Sequence, residues 1–328
     1  METTEMKRIG VMTSGGDASG MNAAIRAVCR SGIAKGLEVF GINRGYEGLI
    51  TGDLFKMDLR SVSEILHRGG TMLYSARCPE FKTSEGIERG VRTCKQFGLD
   101  GLVVIGGDGS FRGARELSLA GIPCIGVPAT IDNDIVCSDY TIGVDTALNT
   151  INKSLEKTRN TSHSKDRCIF FEVRGRHCGY LALHAGIAAG ATAIFVPERK
   201  LDFKKDIVER MQFTRGIGKK HFIMLVAEGV NYPGGITQMA KDIEDATGVV
   251  TKTTVLGYVQ RGGSPSAKDR IIATRMGVYA VHLIAKGIGN RVVVMNGEDI
   301  VDYDIKEALE MKKQFDDNLY QMSHEISI

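Results

Sequence analysis

Nine short apolar runs recur along the chain, and none of them alternates between apolar and polar. They are RIGVMTS (8–14), LEVFGIN (37–43), GLVVIGG (101–107), PCIGVPAT (123–130), RCIFFEVR (167–174), ATAIFVP (191–197), HFIMLVAEG (221–229), TTVLGYVQ (253–260) and RVVVMNG (291–297). A strand apolar on both faces must be covered on both faces, which is the condition of a parallel sheet between helices. The intervening stretches have helical character: MNAAIRAVCRSGIAK, EGIERGVRTCKQFG, SFRGARELSLAG, TALNTINKSLEKTR and KDIVERMQFTRG. Such alternation predicts an α/β fold of doubly wound sheets. The 328 residues suit about two domains. A boundary is expected near 140–150, where DYTIGVDTALNT opens a long helix after a loop. The run IKEALEMKKQFDDNLYQMSHEISI predicts a terminal helix with a frayed end. Internal repeats, low-complexity tracts and proline-rich linkers are absent from the sequence.

Composition narrows the function classes. A net charge of +3 gives no support to nucleic-acid or membrane-surface binding. No apolar run approaches the ~20 residues of a membrane span, and METTEMKR does not read as a signal peptide. The seven cysteines are scattered and form no C-x-x-C pair, so a reduced, cytoplasmic protein without structural zinc is expected.

In open α/β sheets, ligands sit beyond the carboxyl ends of the strands. Three such ends carry unusual residues. In TSGGDASGMNAAIR, the first strand ends at Ser14, Gly15 and Gly16 turn, and a helix follows near Met21. Backbone N–H groups there, with the positive helix end, suit phosphate. In VVIGGDGS, glycines surround Asp108, and Ser110 is the expected N-cap of the next helix. In GVPATIDNDI, Pro128 stiffens a turn that ends in Asp132, Asn133 and Asp134, and the two carboxylates need a cation or hydrogen-bond donors to offset their repulsion. Each loop also has a bland reading: a common βα turn, a turn acid, an Asx-rich turn. Neither a Walker A nor a G-x-G-x-x-G pattern is present. Together the three loops point to nucleotide-dependent phosphoryl transfer, with one carboxylate accepting a proton and others holding Mg²⁺. Arg68, Arg77, Lys82 and Arg176 supply cations near the loops, and R-G-G recurs at 68–70 and 261–263. His177 and His184, seven apart, have no third ligand nearby and read as ordinary structural histidines.

With these residues in view, the sequence resembles the bacterial short-form ATP-dependent 6-phosphofructokinases. The resemblance spans nearly the whole chain: TSGGD with GMNAAIR, RGGT with SARCPEF, VIGGDGS, TIDNDI, DYTIG, GRHCG, VLGYVQRGGSP and the following DR. It implies two doubly wound domains, 1–143 with 260–310 for ATP and 144–259 with 311–328 for the sugar phosphate, with the active site in the cleft between them. It implies that Gly16, Tyr46, Arg77, Cys78, Gly107, Asp108, Gly109, Ser110 and Gly113 hold Mg-ATP, with Asp108 and Asp134 at the metal. Asp132 would be the general base toward the sugar 1-hydroxyl, Thr130 would help to position the sugar, and Arg77 and Arg176 would stabilise the transferring phosphoryl group. The fructose 6-phosphate side would use Thr130, Asp132, Asp134, Arg174, Gly175, Arg176 and Glu228. Its 6-phosphate would meet Tyr258 and Arg261, with Arg167 and Lys252 from a neighbouring subunit of a homotetramer. An ADP or phosphoenolpyruvate effector would use Arg26, Arg30, Arg159, Lys219 and Lys220. Pyrophosphate-using relatives typically carry Asp in place of Gly109 and Lys in place of Ala129; neither is present, which favours ATP.

The chain departs from that family pattern on the sugar side. Lys252 and Tyr258 stand where Arg and His are typical, Arg174 where Met is usual, Tyr180 where Asp is common, and Ala129 where Gly is common. In the effector region Leu59, Thr192 and Ile217 replace an Arg, a metal-binding Glu and a Lys, so weakened control by ADP and phosphoenolpyruvate is expected. The departures leave two other readings open: a weakly active or regulatory paralogue, and a kinase for pyrophosphate or another ketose phosphate.

Overall fold

In the computed structural model, which describes residues 7–163, 165–312 and 314–327, each of the nine apolar runs carries a strand. In chain order the strands are β1 (Arg8–Ser14), β2 (Glu38–Ile42), β3 (Leu54–Met57), β4 (Gly101–Gly106), β5 (Cys124–Pro128), β6 (Cys168–Val173), β7 (Ala193–Phe195), β8 (Phe222–Ala227), β9 (Thr251–Val255), β10 (Arg291–Asn296) and β11 (Asp299–Asp304). The chain forms two compact units. The first is Met1–Ile131, Ile135–Thr146 and Arg261–Lys313; the second is Asp132–Asp134, Ala147–Gln260 and Gln314–Ile328.

The sheet of the first unit has the order β11-β10-β5-β4-β1-β2-β3. Its five inner strands are parallel, and β3 and β11 close the edges antiparallel. From β1 the chain winds outward to β2 and β3, then returns to the other side of β1 with β4. That reversal is a topological switch point, where the loops leaving two neighbouring strands diverge and open a crevice. The register pairs Ser14 with Gly106, so the TSGGD and GGDGS loops leave the sheet side by side. Beneath them Met12, Leu102, Val104, Phe111 and Val292 pack into one buried cluster.

The two edge strands were not expected. LFKM and DIVDYD carry charged residues on half-exposed faces, and an edge strand does not need the two-sided apolar pattern.

The second unit has four parallel strands in the order β7-β8-β6-β9. Both central strands are buried on both faces. Three expectations need correction here. The strand expected at 253–260 starts earlier, at Thr251, and ends at Val255; Gly257, at φ 52, then turns the chain into a 3₁₀ helix, Gly257–Arg261. The KDIVERMQFTRG helix begins upstream, at Phe203, in wide π-type turns that tighten to α geometry at Arg210. The single C-terminal helix is two helices, Ile305–Glu310 and Asp317–Glu325. Each starts at an aspartate cap: Asp304 accepts from the Lys306 and Glu307 amides, and Asp316 from the Leu319 amide. Among the described residues no helix is long and apolar enough to cross a membrane.

Candidate active site

In the first unit the helix after β4 begins at Asp108, with Gly107 as its cap in extended backbone (φ −97, ψ −167). Ser110 is therefore not the N-cap expected from the sequence. The chain turns three residues early, and the Ser110 hydroxyl instead donates to the Ser14 carbonyl at 3.2 Å, tying the β4 loop to the β1 loop.

The glycines around Asp108 divide into two kinds. A Cβ on Gly106 would sit 2.5 Å from the Ser14 carbonyl oxygen, and one on Gly113 would sit 2.6 Å from the Tyr46 ring. Those two are required by packing. Gly107 and Gly109 have no atom within 4 Å of a built Cβ, and neither adopts the left-handed backbone that favours glycine. The described chain supplies no steric reason for glycine at either place, and the space beside both is open. Asp108 lies exposed between them, and Arg112 one helical turn on donates its Nε–H to Asp108 at 2.8 Å.

Tyr46, expected among the nucleotide contacts, is buried beneath this loop. Its hydroxyl donates to the Ser110 carbonyl at 2.5 Å, and its ring stacks on Phe81 with centroids 4.1 Å apart. Phe81 belongs to the turn Pro79–Lys82 that follows exposed Arg77 and half-buried Cys78. Tyr46 thus links the SARCPEF loop to the GGDGS loop.

The first loop is braced by residues the sequence placed elsewhere. Gly15 takes the left-handed backbone at φ 88. A Cβ on Gly16 would sit 2.5 Å from Nη1 of Arg261, and that same nitrogen donates to the Asp17 carbonyl at 3.0 Å. The Ser19 hydroxyl donates to the Gly263 carbonyl at 2.8 Å, and the Asn22 amide donates to the carbonyls of Arg68 and Gly69 at 3.1 and 3.2 Å. A Cβ on Gly69 would collide with the Gly263 carbonyl. The two R-G-G turns, 193 residues apart in sequence, therefore meet at the start of the helix Met21–Ala34.

The third loop is held by a carboxylate that sequence reading missed. Ala129 bridges to Ile142, and the Thr141 hydroxyl donates to the Thr130 carbonyl at 2.6 Å. The segment around Ile142 is clamped in turn by Asp269, which is fully buried. Its carboxylate accepts from the Tyr140 hydroxyl at 2.6 Å, the Gly143 amide at 2.7 Å, the Thr146 amide at 2.8 Å and the Thr146 hydroxyl. Burial pushes the Asp269 carboxyl up, and these donors pull it back toward the ionised form. In sequence Asp269 looks like an ordinary first-turn acid, three residues after the Ser266 cap.

In the second unit Asp132 and Asn133 precede exposed Asp134, with Asn133 buried and left-handed at φ 49. The guanidinium of Arg174 faces two carboxylates. Its Nε lies 3.4 Å from Oδ1 of Asp132, and one terminal nitrogen lies 3.5 Å from Oδ2 of Asp132 and 3.7 Å from Oε1 of Glu228. The three side chains are 17–28% exposed. Arg174, Gly175 and Arg176 leave β6 beside Glu228, which leaves β8. The Glu228 amide donates to the Val173 carbonyl at 2.9 Å and the Gly229 amide to the Gly175 carbonyl at 3.1 Å. Burial, helped by Glu228, pushes the carboxyl of Glu172 up. Arg167 is half-buried, and Lys252 and Tyr258 are exposed, Tyr258 by 86%.

The expected effector residues fall in both units. Arg26 and Arg30 lie half-buried on the helix Met21–Ala34 of the first. Arg159, Lys219 and Lys220 lie in the second, where Arg159 donates to the Ala189 carbonyl and Lys219 to the Ser327 carbonyl. Burial, then the charges of Arg210 and Arg159, hold the Lys219 ammonium below its ordinary value. His184 stacks on Tyr180 with centroids 3.7 Å apart, its Nδ1 2.9 Å from the Tyr180 carbonyl. No cluster of three or more metal-ligating side chains occurs among the described residues. Magnesium does not need one, since it takes one or two carboxylates and completes its shell with water and substrate phosphate.

Comparison with known proteins adds an independent line. The family model described as Phosphofructokinase matches residues 8–284. An ATP-dependent 6-phosphofructokinase of Bacillus subtilis is 53% identical over 323 residues, covering 98% of this chain and all of the relative. The Bacillus velezensis enzyme of that name matches at the same identity and coverage. Among solved structures, phosphofructokinase from Saccharomyces cerevisiae superposes with a TM-score of 0.86 at 36% identity, covering 98% of this chain and 48% of the yeast chain.

Proposed function

The chain belongs to the phosphofructokinase family, and from that premise we propose that it transfers the terminal phosphoryl group of ATP to the 1-hydroxyl of fructose 6-phosphate. The products are fructose 1,6-bisphosphate and ADP, a glycolytic step. On the donor side the loops of Gly16, Gly107, Gly109 and Ser110 present backbone N–H groups to the phosphates, with Arg77 and Cys78 alongside. The fit is supported by Gly107 and Gly109, where a side chain would project into open space beside an exposed carboxylate. Asp108 and Asp134 would hold a magnesium ion, which when bound supplies charge neutralisation on the donor phosphates.

On the acceptor side Asp132 takes the proton of the attacking hydroxyl, Thr130 and Glu228 orient the sugar, and Arg176 with Arg77 offsets charge on the group in transit. Phosphoryl transfer demands little covalent chemistry of a protein, so positioning and charge carry most of the work. We extend the reading to a cytoplasmic homotetramer in which Arg167 and Lys252 of one copy, with Tyr258 and Arg261 of the next, receive the 6-phosphate. Arg26, Arg30, Arg159, Lys219 and Lys220 would meet an anionic effector such as ADP or phosphoenolpyruvate, with a weak response.

The observation that carries the reading is the open space at Gly107 and Gly109 in a chain 53% identical, end to end, to enzymes of that name. A coupled assay with ATP or pyrophosphate, against a panel of ketose phosphates, tests it. Turnover with ATP and fructose 6-phosphate is expected. Turnover with pyrophosphate alone would overturn the donor, and absence of turnover with every pair would overturn the activity. D132S should lose most turnover while still binding both substrates; unchanged turnover would remove Asp132 as the base.

A further inference from the structure

Arg174 stands between the carboxylate read as the base and the carboxylate read as the sugar ligand. Its fork approaches Asp132 side-on, with a nitrogen near each oxygen at 3.4 and 3.5 Å, and reaches Glu228 at 3.7 Å. A carboxylate has about four lone-pair sites; this pose takes one on Oδ2 of Asp132 through a long hydrogen bond, while Nε and Oδ1, 3.4 Å apart, pair by charge without a hydrogen bond. All three separations exceed the ~2.7–2.9 Å of a tight charge-assisted bond, so the grip is loose. The backbone beneath it is not loose. The Arg174 amide donates to Oε1 of buried Gln260 at 3.1 Å, Gly175 sits at φ 137, and a Cβ on Gly229 would collide with the Arg176 carbonyl. The Arg174 backbone is thus anchored, and side-chain rotation is the direct way for the guanidinium to leave the carboxylates.

Sugar hydroxyls are donors, and Asp132 and Glu228 can accept from them only where the guanidinium does not. We propose that Arg174 is a gate on the acceptor side: in the resting enzyme it occupies Asp132 and Glu228, and the sugar must displace it to reach the base. The proposal rests on Asp132 being that base. The reactive 1-hydroxyl and the 6-phosphate lie at opposite ends of the substrate, so Arg174 beside the 1-hydroxyl makes no direct contact with the phosphate, while its contact with the carboxylates competes directly with the sugar.

The test is fructose 6-phosphate binding by calorimetry, without ATP, to wild type, R174M, R174Q and R174K, each first checked for a cooperative melt. R174M removes the charge at similar length, and its Kd should fall about fivefold, the size of a partly exposed ion pair. R174Q should follow it; if R174M does not fold, R174Q carries the test. R174K keeps a cation that cannot span both carboxylates and should fall between. Structural damage would raise Kd, so a gain in affinity separates the gate from a merely structural role. The gain should shrink when R174M is combined with D132S. A Kd unchanged or raised in both neutral variants, or a gain that survives D132S in full, overturns the gate. Turnover of wild type with ATP is measured alongside: a wild type that binds and phosphorylates fructose 6-phosphate while the variants gain nothing sinks the gate alone, whereas a wild type that does neither sinks the proposed activity and the gate with it.

Discussion

The guanidinium of Arg261 lies against Gly16, with Nη1 2.5 Å from where a Cβ would stand. The obstacle is the far end of a flexible side chain, so G16A can be accommodated by moving Arg261. The melting temperature should change by no more than a few degrees. The moved arginine would lose its bond to the Asp17 carbonyl, and the new methyl would crowd the backbone proposed to face the donor phosphates. We expect kcat/KM for ATP to fall by about tenfold or more, roughly 1.4 kcal/mol of transition-state stabilisation. Wild-type kinetics in G16A would show that this loop does not meet the donor.

The two kinds of glycine in the β4 loop should separate in experiment. In G113A the added methyl meets the buried Tyr46 ring at 2.6 Å, and overpacking of this kind costs about 1–3 kcal/mol. In G109A the methyl meets nothing within 4 Å, and alanine favours the helix by up to about 1 kcal/mol over glycine. Chemical denaturation should therefore find G113A destabilised and G109A as stable as wild type or more so. Steady-state kinetics should find the larger rise in KM for ATP in G109A. The opposite pattern would remove the reading of Gly109 as space kept for a ligand.

That distinction marks where the sequence stops being legible. The strands β1, β4 and β8 could be read directly, because burial on both faces leaves an unbroken apolar run. β3 and β11 could not, because an edge strand needs no such run. The letter G stands at 106, 107, 109 and 113 alike, yet two of these are dictated by neighbours from other elements and two are not. The partnership of Gly69 with Gly263 and the pairing of Arg174 with Asp132 join segments 194 and 42 residues apart, and only the fold brings them together. Ser110 misled because a serine after glycines is a good cap on local grounds, while a bond to Ser14 across the sheet wins in the folded chain.

Asp269 should be the costliest single polar substitution in the first unit. Four donors converge on its carboxylate, so each oxygen must accept. D269N would turn an N–H group toward donors in a site with no exposure to water. We expect a loss of about 2–4 kcal/mol, since a buried donor left facing the new amide costs ~1–3 kcal/mol. Y140F removes one donor of the four and should cost about 1 kcal/mol. Urea denaturation of both variants checks the order; equal losses would mean that the network is not organised around the carboxylate.

Thiol chemistry should report on the donor loop. Burial pushes Cys29 up to about 11 and Cys94 and Cys168 up to about 12, and Cys124 higher still. These four should stay unreactive toward a thiol reagent at pH 8, since the thiolate is the nucleophile. Half-buried Cys78 should be modified early, and ATP should slow that modification several-fold if the SARCPEF loop borders the nucleotide. Mass spectrometry of alkylated peptides, with and without ATP, measures both. Modification of Cys78 at one rate regardless of nucleotide would separate it from the donor site.

The C-terminal helix Asp317–Glu325 should loosen as pH falls. Arg210 holds His324 twice, donating to its Nδ1 at 2.6 Å and to its carbonyl at 2.7 Å. The ring must be unprotonated at Nδ1 to accept. Burial, reinforced by the charge of Arg210, holds His324 below its ordinary 6.5. The unfolded or undocked segment therefore binds the proton more readily than the docked one. By linkage, docking keeps its full strength above pH 6.5 and loses it as pH falls from 6.5 through the depressed native value. Hydrogen exchange of residues 317–325, corrected for intrinsic rates, should be faster at pH 5.5 than at pH 7.5. H324Q keeps an acceptor near Arg210 but cannot titrate, so the pH dependence should vanish in it. An equal loss of protection in H324Q would place the sensitive group elsewhere.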